Sequence, residues 1–100
     1  MARVYNTVLY TKGPLGPRMM EHICVSDAGD AILKGMLMLL DTELANCKVN
    51  GCPFTAMESL IIESGHAIQD KDKQEMHITI DMEGFFLSID ERMVQLPNNS

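Results

Sequence analysis

The residues of this chain best suited to chemistry are three cysteines and three histidines, four of which come in two pairs. His22 and Cys24 form an H-x-C pair, and four residues separate Cys47 from Cys52. Thiolate sulfur and imidazole nitrogen are ligands that Zn²⁺ prefers. These four residues are therefore the candidate site of our alternative hypothesis, a small-ligand or metal-binding domain.

The spacing within these pairs argues against zinc. Structural zinc sites usually take their cysteines from tighter C-x2-C knuckles. In a β-strand His22 and Cys24 would share a face yet lie about 6.6 Å apart, because each residue advances the strand by about 3.3 Å. We therefore expect no metal and no cofactor, with Cys24 and Cys47 as small core residues and Cys52 as a partly exposed thiol.

The remaining motifs nominate no catalytic group. Glu63 and His66 have the spacing of the E-x-x-H pair of di-metal helical sites. Gly65, however, is expected to end the helix before His66, and the sequence has no second such pair. The chain has no G-x-x-x-x-G-K-[ST] phosphate loop. Since no acid, base or nucleophile can be assigned, we predict that the protein is not an enzyme.

Negative charge is concentrated in the second part of the chain. Residues 1–57 carry five acidic and five basic side chains, whereas residues 58–100 carry nine acidic and three basic ones, which accounts for the net charge of −6. An acidic surface repels phosphates, so direct binding of nucleic acid is not expected. The same charge would attract a more basic protein.

Length and composition predict one cytoplasmic domain. One hundred residues are enough to bury a single core without disulfides. The longest uncharged apolar run, residues 36–40, is too short to span a membrane. The first residues also lack the charged segment, apolar segment and small-residue cleavage site that make up a signal peptide. An odd number of cysteines fits free thiols in a reducing compartment. We expect one domain over residues 1–96 and a frayed tail over residues 97–100.

One long helix, predicted over residues 26–48, organises the rest of the chain. Ser26 or Asp27 can cap its first turn. At 100° per residue, nine apolar side chains fall along one side, which we predict packs on a sheet. They are Ala28, Ile32, Leu33, Met36, Leu37, Leu39, Leu40, Leu44 and Cys47. Met38 is expected among the polar positions, and Glu43 at the edge of the apolar arc.

Alternating apolar residues predict two β-hairpins around this helix. The strands are expected over residues 2–11, 18–25, 75–81 and 85–89, and residues 92–96 are a candidate fifth strand. Residues 12–17, rich in glycine and proline, form the loop of the first hairpin. Residues 82–84 form the turn of the second hairpin.

After the long helix, Asn50 and Gly51 predict a turn. Thr55 and Glu58 have the spacing of a capping box, which favours a short helix over residues 56–64, although residues 60–62 also fit a buried strand. The element order is then β-β-α-α-β-β. We predict an α+β two-layer sandwich, in which one long helix packs across an antiparallel sheet of four to five strands.

These features together predict a small acidic, non-catalytic protein-interaction domain of regulatory, adaptor or inhibitor type. Its partner is expected to be a more basic protein, and its nine methionines suit an adaptable binding surface. The residues predicted to contact the partner are Met38, Glu43, Glu75, Glu83, Asp90 and Glu91. A homodimer is also expected, because small two-layer domains often cover an edge strand by dimerising.

Overall fold

The computed structural model describes residues 2–50, 54–70 and 74–95, without the side chains of residues 46–50. The predicted turn at Gly51, residue Cys52 and the predicted tail lie outside these residues. The elements, in chain order, are β1 (Ala2–Gly13), β2 (Gly16–Val25), α1 (Ala28–Asn50), α2 (Thr55–Gln69), β3 (His77–Met82) and β4 (Phe85–Val94). The α+β class and the antiparallel sheet are confirmed.

The four strands form one sheet in the order β2-β1-β4-β3, and all neighbours are antiparallel. Each hairpin contributes one central and one edge strand, and the hairpins meet where β1 pairs with β4. Thr7, for example, lies opposite Ile89. Periodicity does not predict this order, because it reports which residues share a face and not which strands are neighbours.

Strands β1, β2 and β4 are longer than predicted, whereas β3 begins two residues later than expected and is one residue shorter. The expected loop over residues 12–17 is wrong, because only Pro14 and Leu15 form the turn and Gly13 pairs with Gly16. Gly16 has a φ of 109°, which a residue with a Cβ rarely adopts. The fifth strand is also wrong within the described residues, since residues 92–94 continue β4, where Val94 pairs with Ala2.

Helix α1 is confirmed, but its sheet-facing side differs from the prediction. Asp27 Oδ2 accepts a hydrogen bond from the Asp30 N–H at 3.0 Å, as expected for a cap. The predicted core residues Leu33, Leu37 and Leu44 are 50%, 48% and 48% exposed. Met38, expected in solvent, is only 3% exposed. The buried side consists of Ala28, Ala31, Ile32, Gly35, Met38 and Leu39.

Small residues explain which side of α1 is buried. A Cβ on Gly35 would lie 3.1 Å from Leu87 Cδ2 and 3.2 Å from Ile89 Cδ1, so the helix backbone runs close to the sheet. Thr7 Oγ1 also donates a buried hydrogen bond to the Ala31 carbonyl at 2.9 Å. Close approach therefore selects alanine and glycine for the positions nearest the sheet, and the exposed Leu33, Leu37 and Leu44 lie on the other side of the helix.

The predicted second helix is confirmed as α2, but its end and its cap differ from the prediction. It runs from Thr55 to Gln69 and so continues past Gly65, and it excludes the alternative strand. No capping box forms: the residue before the helix is Phe54, in the left-handed region at φ 47° and without a side-chain cap. Instead Glu43 Oε1, from α1, accepts a hydrogen bond from the Ala56 N–H at 2.8 Å. A carboxylate at the positive end of the helix dipole stabilises that end.

Both helices share one hydrophobic core, so the expectation of a single packed helix is incomplete. Helix α1 contacts β1, β2 and β4, while α2 contacts β3 and α1. The largest fully buried side chains are those of Tyr5, Thr7, Leu39, Leu60, Met76, Leu87 and Ile89. In the described part of the chain, neither helix is long and apolar enough to cross a membrane.

Candidate partner-binding groove

The structure does not bring the candidate metal ligands together. His22 and Cys24 lie opposite Val8 and Asn6 in β1, on the sheet face that points away from the helices, and both are exposed. His22 Nε2 lies 2.8 Å from Asn6 Oδ1. Cys24 is therefore an exposed free thiol and not a core residue, which corrects that prediction.

The second cysteine pair lies largely outside the described residues. Residue 47 belongs to α1, on the opposite side of the sheet from His22 and Cys24, but its side chain and Cys52 are not described. Within the described ranges, no group of three histidine, cysteine, aspartate or glutamate side chains is arranged to hold a metal ion.

The six predicted partner contacts separate into buried and exposed residues. Met38 and Glu91 are 3% and 4% exposed, so the expectation that they are surface residues is wrong. Glu91 Oε2 lies 3.3 Å from Arg3 Nε, and its Oε1 accepts a 3.3 Å hydrogen bond from the Met76 N–H. Glu43 is half-buried as the cap of α2. Glu75 and Glu83 are exposed, and Asp90 is partly exposed.

A groove lies between the second half of α2 and the residues that lead into β3. Its volume is about 280 Å³, and it is lined by Glu63, His66, Ala67, Asp70, Gln74, Glu75, Met76 and His77. Glu63 and His66 come from one flank of α2, because residues three positions apart are neighbours on a helix, and Asp70 is the cap residue that follows the helix. Met76 is buried and Ala67 is partly exposed, so the groove combines a small apolar surface with three carboxylates.

His77 connects this groove to β4. Its Nδ1 lies 2.8 Å from Asp90 Oδ1, and its Nε2 lies 3.3 Å from Glu75 Oε2. The hydrogen bond to Asp90 is the main reason that the pKa of His77 is raised above 6.5; burial opposes this, and Glu75 adds to it. A protonated His77 is thus held between two carboxylates.

We expect protonation of His77 to stabilise the fold. Because its pKa is raised in the folded state, this stabilisation is complete below pH 6.5, the unfolded value, and is lost as the pH rises through the folded pKa. Its size is small because the side chain is 55% exposed and solvent screens the pair. An NMR titration should give a lower His77 midpoint in Asp90→Asn than in the wild type; equal midpoints would contradict this assignment.

The open face of the sheet holds a second, shallower depression of about 330 Å³. Tyr10 and Phe86 stack beside it with ring centroids 4.5 Å apart. Its lining mixes apolar, amide and charged side chains, namely Asn6, Val8, Tyr10, Met19, His22, Ser88, Asp90 and Arg92. Neither acidic nor basic side chains predominate in this lining, so we regard the acidic groove as the better-defined site.

Glu75 and Asp90 were predicted from the sequence as contact residues, but the groove was not. The available signal was the i, i+3, i+7 spacing of Glu63, His66 and Asp70, which becomes visible only if the helix passes through Gly65. No family model matched the chain, and neither did any curated protein or solved structure. The function is therefore inferred from the geometry of the site.

Proposed function

We propose that this chain is a small non-catalytic protein-interaction domain, of regulatory, adaptor or inhibitor type, that binds a basic segment of a partner protein. The observation that carries the proposal is the groove between α2 and β3. There, the carboxylates of Glu63, Asp70 and Glu75 line the groove together with the partly exposed Ala67.

This arrangement suits an arginine or lysine side chain. Such a side chain combines an apolar stem with a cationic head, so its methylene groups can lie on Ala67 while its head reaches the carboxylates. An arginine is favoured over a lysine, since its planar guanidinium can donate parallel hydrogen bonds to a carboxylate. Among the described residues, no lysine or arginine lines the groove, and its cationic competitor for Glu75 is His77 when protonated.

Two further acidic residues from the sequence prediction lie outside the groove. Asp90 contacts His77, which lines the groove, whereas Glu83 lies in the exposed turn at the other end of β3. With six residues in β3, Glu83 is about 20 Å from the groove at 3.3 Å per residue, farther than the roughly 8 Å over which salt screens exposed charges. Since charges close to a binding site mainly accelerate the encounter, reversal at Asp90 should lower the association rate, and reversal at Glu83 should change it little.

Charge reversal within the groove tests the proposal. We expect Glu75→Lys to weaken the binding of a fluorescent oligoarginine peptide by about tenfold, equivalent to about 1.4 kcal/mol, because it removes one carboxylate and adds a like charge. The matched control is Glu21→Lys, which makes the same change in net charge on exposed β2. Fluorescence anisotropy at two salt concentrations gives both affinities.

The comparison of the two variants distinguishes binding in the groove from general electrostatic attraction to an acidic protein. The proposal expects Glu21→Lys to retain nearly the wild-type affinity, and NMR shifts on adding the peptide to concentrate at Glu63, Asp70 and Glu75. Equal weakening by both variants would show that the peptide responds only to net charge, and would refute the groove as a binding site.

A further inference from the structure

The outer side of α1 carries a stripe of leucines that the described chain does not cover. This leucine stripe consists of Leu33, Leu37, Leu40 and Leu44. Three of its members are about half exposed, and Leu40 is partly buried. The sheet side of the same helix is occupied by Ala31, Gly35 and Leu39. The leucine stripe is thus an apolar side additional to the one that the core uses.

The spacing of the leucine stripe is that of a coiled-coil seam. Its members are separated by four, three and four residues, which is the alternation of d and a positions in a heptad. In this register Lys34 and Asp41 occupy the flanking e positions. They are of opposite charge, and neither has an ion-pair partner in the described chain.

Helix α2, which contacts α1, carries further exposed apolar residues. Ile61, Ile62 and Ile68 are each more than half exposed. At 100° per residue, Ile61 and Ile68 lie on the side of α2 opposite Glu63, hence away from the acidic groove. Single exposed apolar residues are ordinary, but several on two helices that contact each other are typical of a protein interface.

We propose that this helical surface is the interface of a homodimer in which the two α1 helices pack antiparallel. The two-fold axis passes between Leu37 and Leu40, so Leu37 packs on Leu40 of the partner subunit and Leu33 on Leu44 of the partner subunit. A two-fold axis requires such a self-complementary patch. The partner is a second copy of the chain and the surface is distinct from the acidic groove, so the inference does not depend on the proposed function.

Charge complementarity selects the antiparallel arrangement. In an antiparallel pair the e positions of the two helices are adjacent, so each Lys34 meets Asp41 of the partner subunit. The same axis sets α2 against α2 of the partner subunit and covers the exposed isoleucines. A parallel pair would leave those isoleucines uncovered and Lys34 without an acidic neighbour.

The size of the surface suits a stable dimer. With 23 residues, α1 is about 35 Å long at 1.5 Å per residue, and α2 lies beside it. Stable interfaces typically bury about 800 Å² on each partner. Two adjacent helices with their outer apolar side chains can supply such an area, whereas the leucine stripe alone is narrow.

Light scattering and sedimentation on matched variants test the interface. We expect the wild type to be a dimer and Leu37→Asp to be a monomer with unchanged circular dichroism, because Leu37 is half exposed in the monomer. The control is Met19→Asp, which adds the same charge at an exposed apolar residue of β2 and should remain dimeric. A monomeric wild type, or a dimeric Leu37→Asp, would overturn the proposal.

A charge exchange tests the antiparallel register. Lys34→Asp and Asp41→Lys should each raise the dimer dissociation constant by about tenfold, since each places like charges together. The double variant restores both pairs and should return to about the wild-type constant. If the double variant is no tighter than the single variants, the antiparallel pairing is wrong.

Discussion

Replacement of Leu39 by alanine should lower the free energy of unfolding by about 2–5 kcal/mol. Leu39 is 0% exposed and belongs to the core between α1 and the sheet, so truncation removes buried contacts and leaves a cavity. A domain of this kind has a total stability of only about 5–15 kcal/mol. Urea unfolding should therefore show a clearly lower midpoint with an unchanged slope.

The matched control for Leu39 is Leu37, two residues away on the same helix. Leu37→Ala should cost less than about 1 kcal/mol, because its side chain is already 48% exposed. Both variants are to be measured at a dilution where light scattering gives a monomer, so that an interface does not contribute. Equal costs would mean that the sheet-facing side of α1 is assigned wrongly.

Replacement of Gly35 by leucine should also destabilise the fold, by about 1–3 kcal/mol or more. The added Cβ alone would lie within 3.4 Å of Leu60, Leu87 and Ile89, and the rest of the side chain would need space that α1, α2 and β4 already fill. The helix or the sheet must then shift. Thermal unfolding followed by circular dichroism would measure the loss.

Gly65 provides the control for Gly35, since both glycines lie in helices. Nothing lies within 4 Å of a Cβ built on Gly65, and leucine is the better helix former. Gly65→Leu should therefore leave stability unchanged or raise it by up to about 1 kcal/mol. A comparable loss in both variants would show that helix geometry, and not packing at Gly35, causes the effect.

Local patterns predicted most of the elements. Alternation in residues 76–80 identified β3, and Gly84, with its φ of 91°, marks the turn before β4. The cap at Asp27 is likewise a local interaction between near neighbours. Such features are predictable because the residues that determine them lie within a few positions of one another.

The buried side of α1 was not predictable from the same pattern. Four leucines lie in a stripe of about 60° opposite Gly35, so a search for large apolar side chains selects the outer side. Burial of Ala31 and Gly35 depends on how closely the helix approaches the sheet. That distance is a tertiary property.

The candidate site was also predicted only in part, because strand pairing decides which of its acidic residues are exposed. Asp90 and Glu91 are neighbours in sequence, yet successive residues of a strand point to opposite faces. Asp90 faces His77 on the open side, whereas Glu91 is buried beside Arg3. Which of two adjacent carboxylates reaches the surface follows from the pairing of β1 with β4, which sequence periodicity does not reveal.

The pairing of β1 with β4 also has a consequence for the folding rate. Each hairpin needs only local contacts, but the centre of the sheet joins the first described strand to the last one, with Ala2 opposite Val94. Closing so long a loop lowers the entropy of the chain before any stabilising contact between β1 and β4 has formed. Folding should therefore be limited by the meeting of two preformed hairpins, and during synthesis the sheet stays incomplete until β4 has emerged from the ribosome.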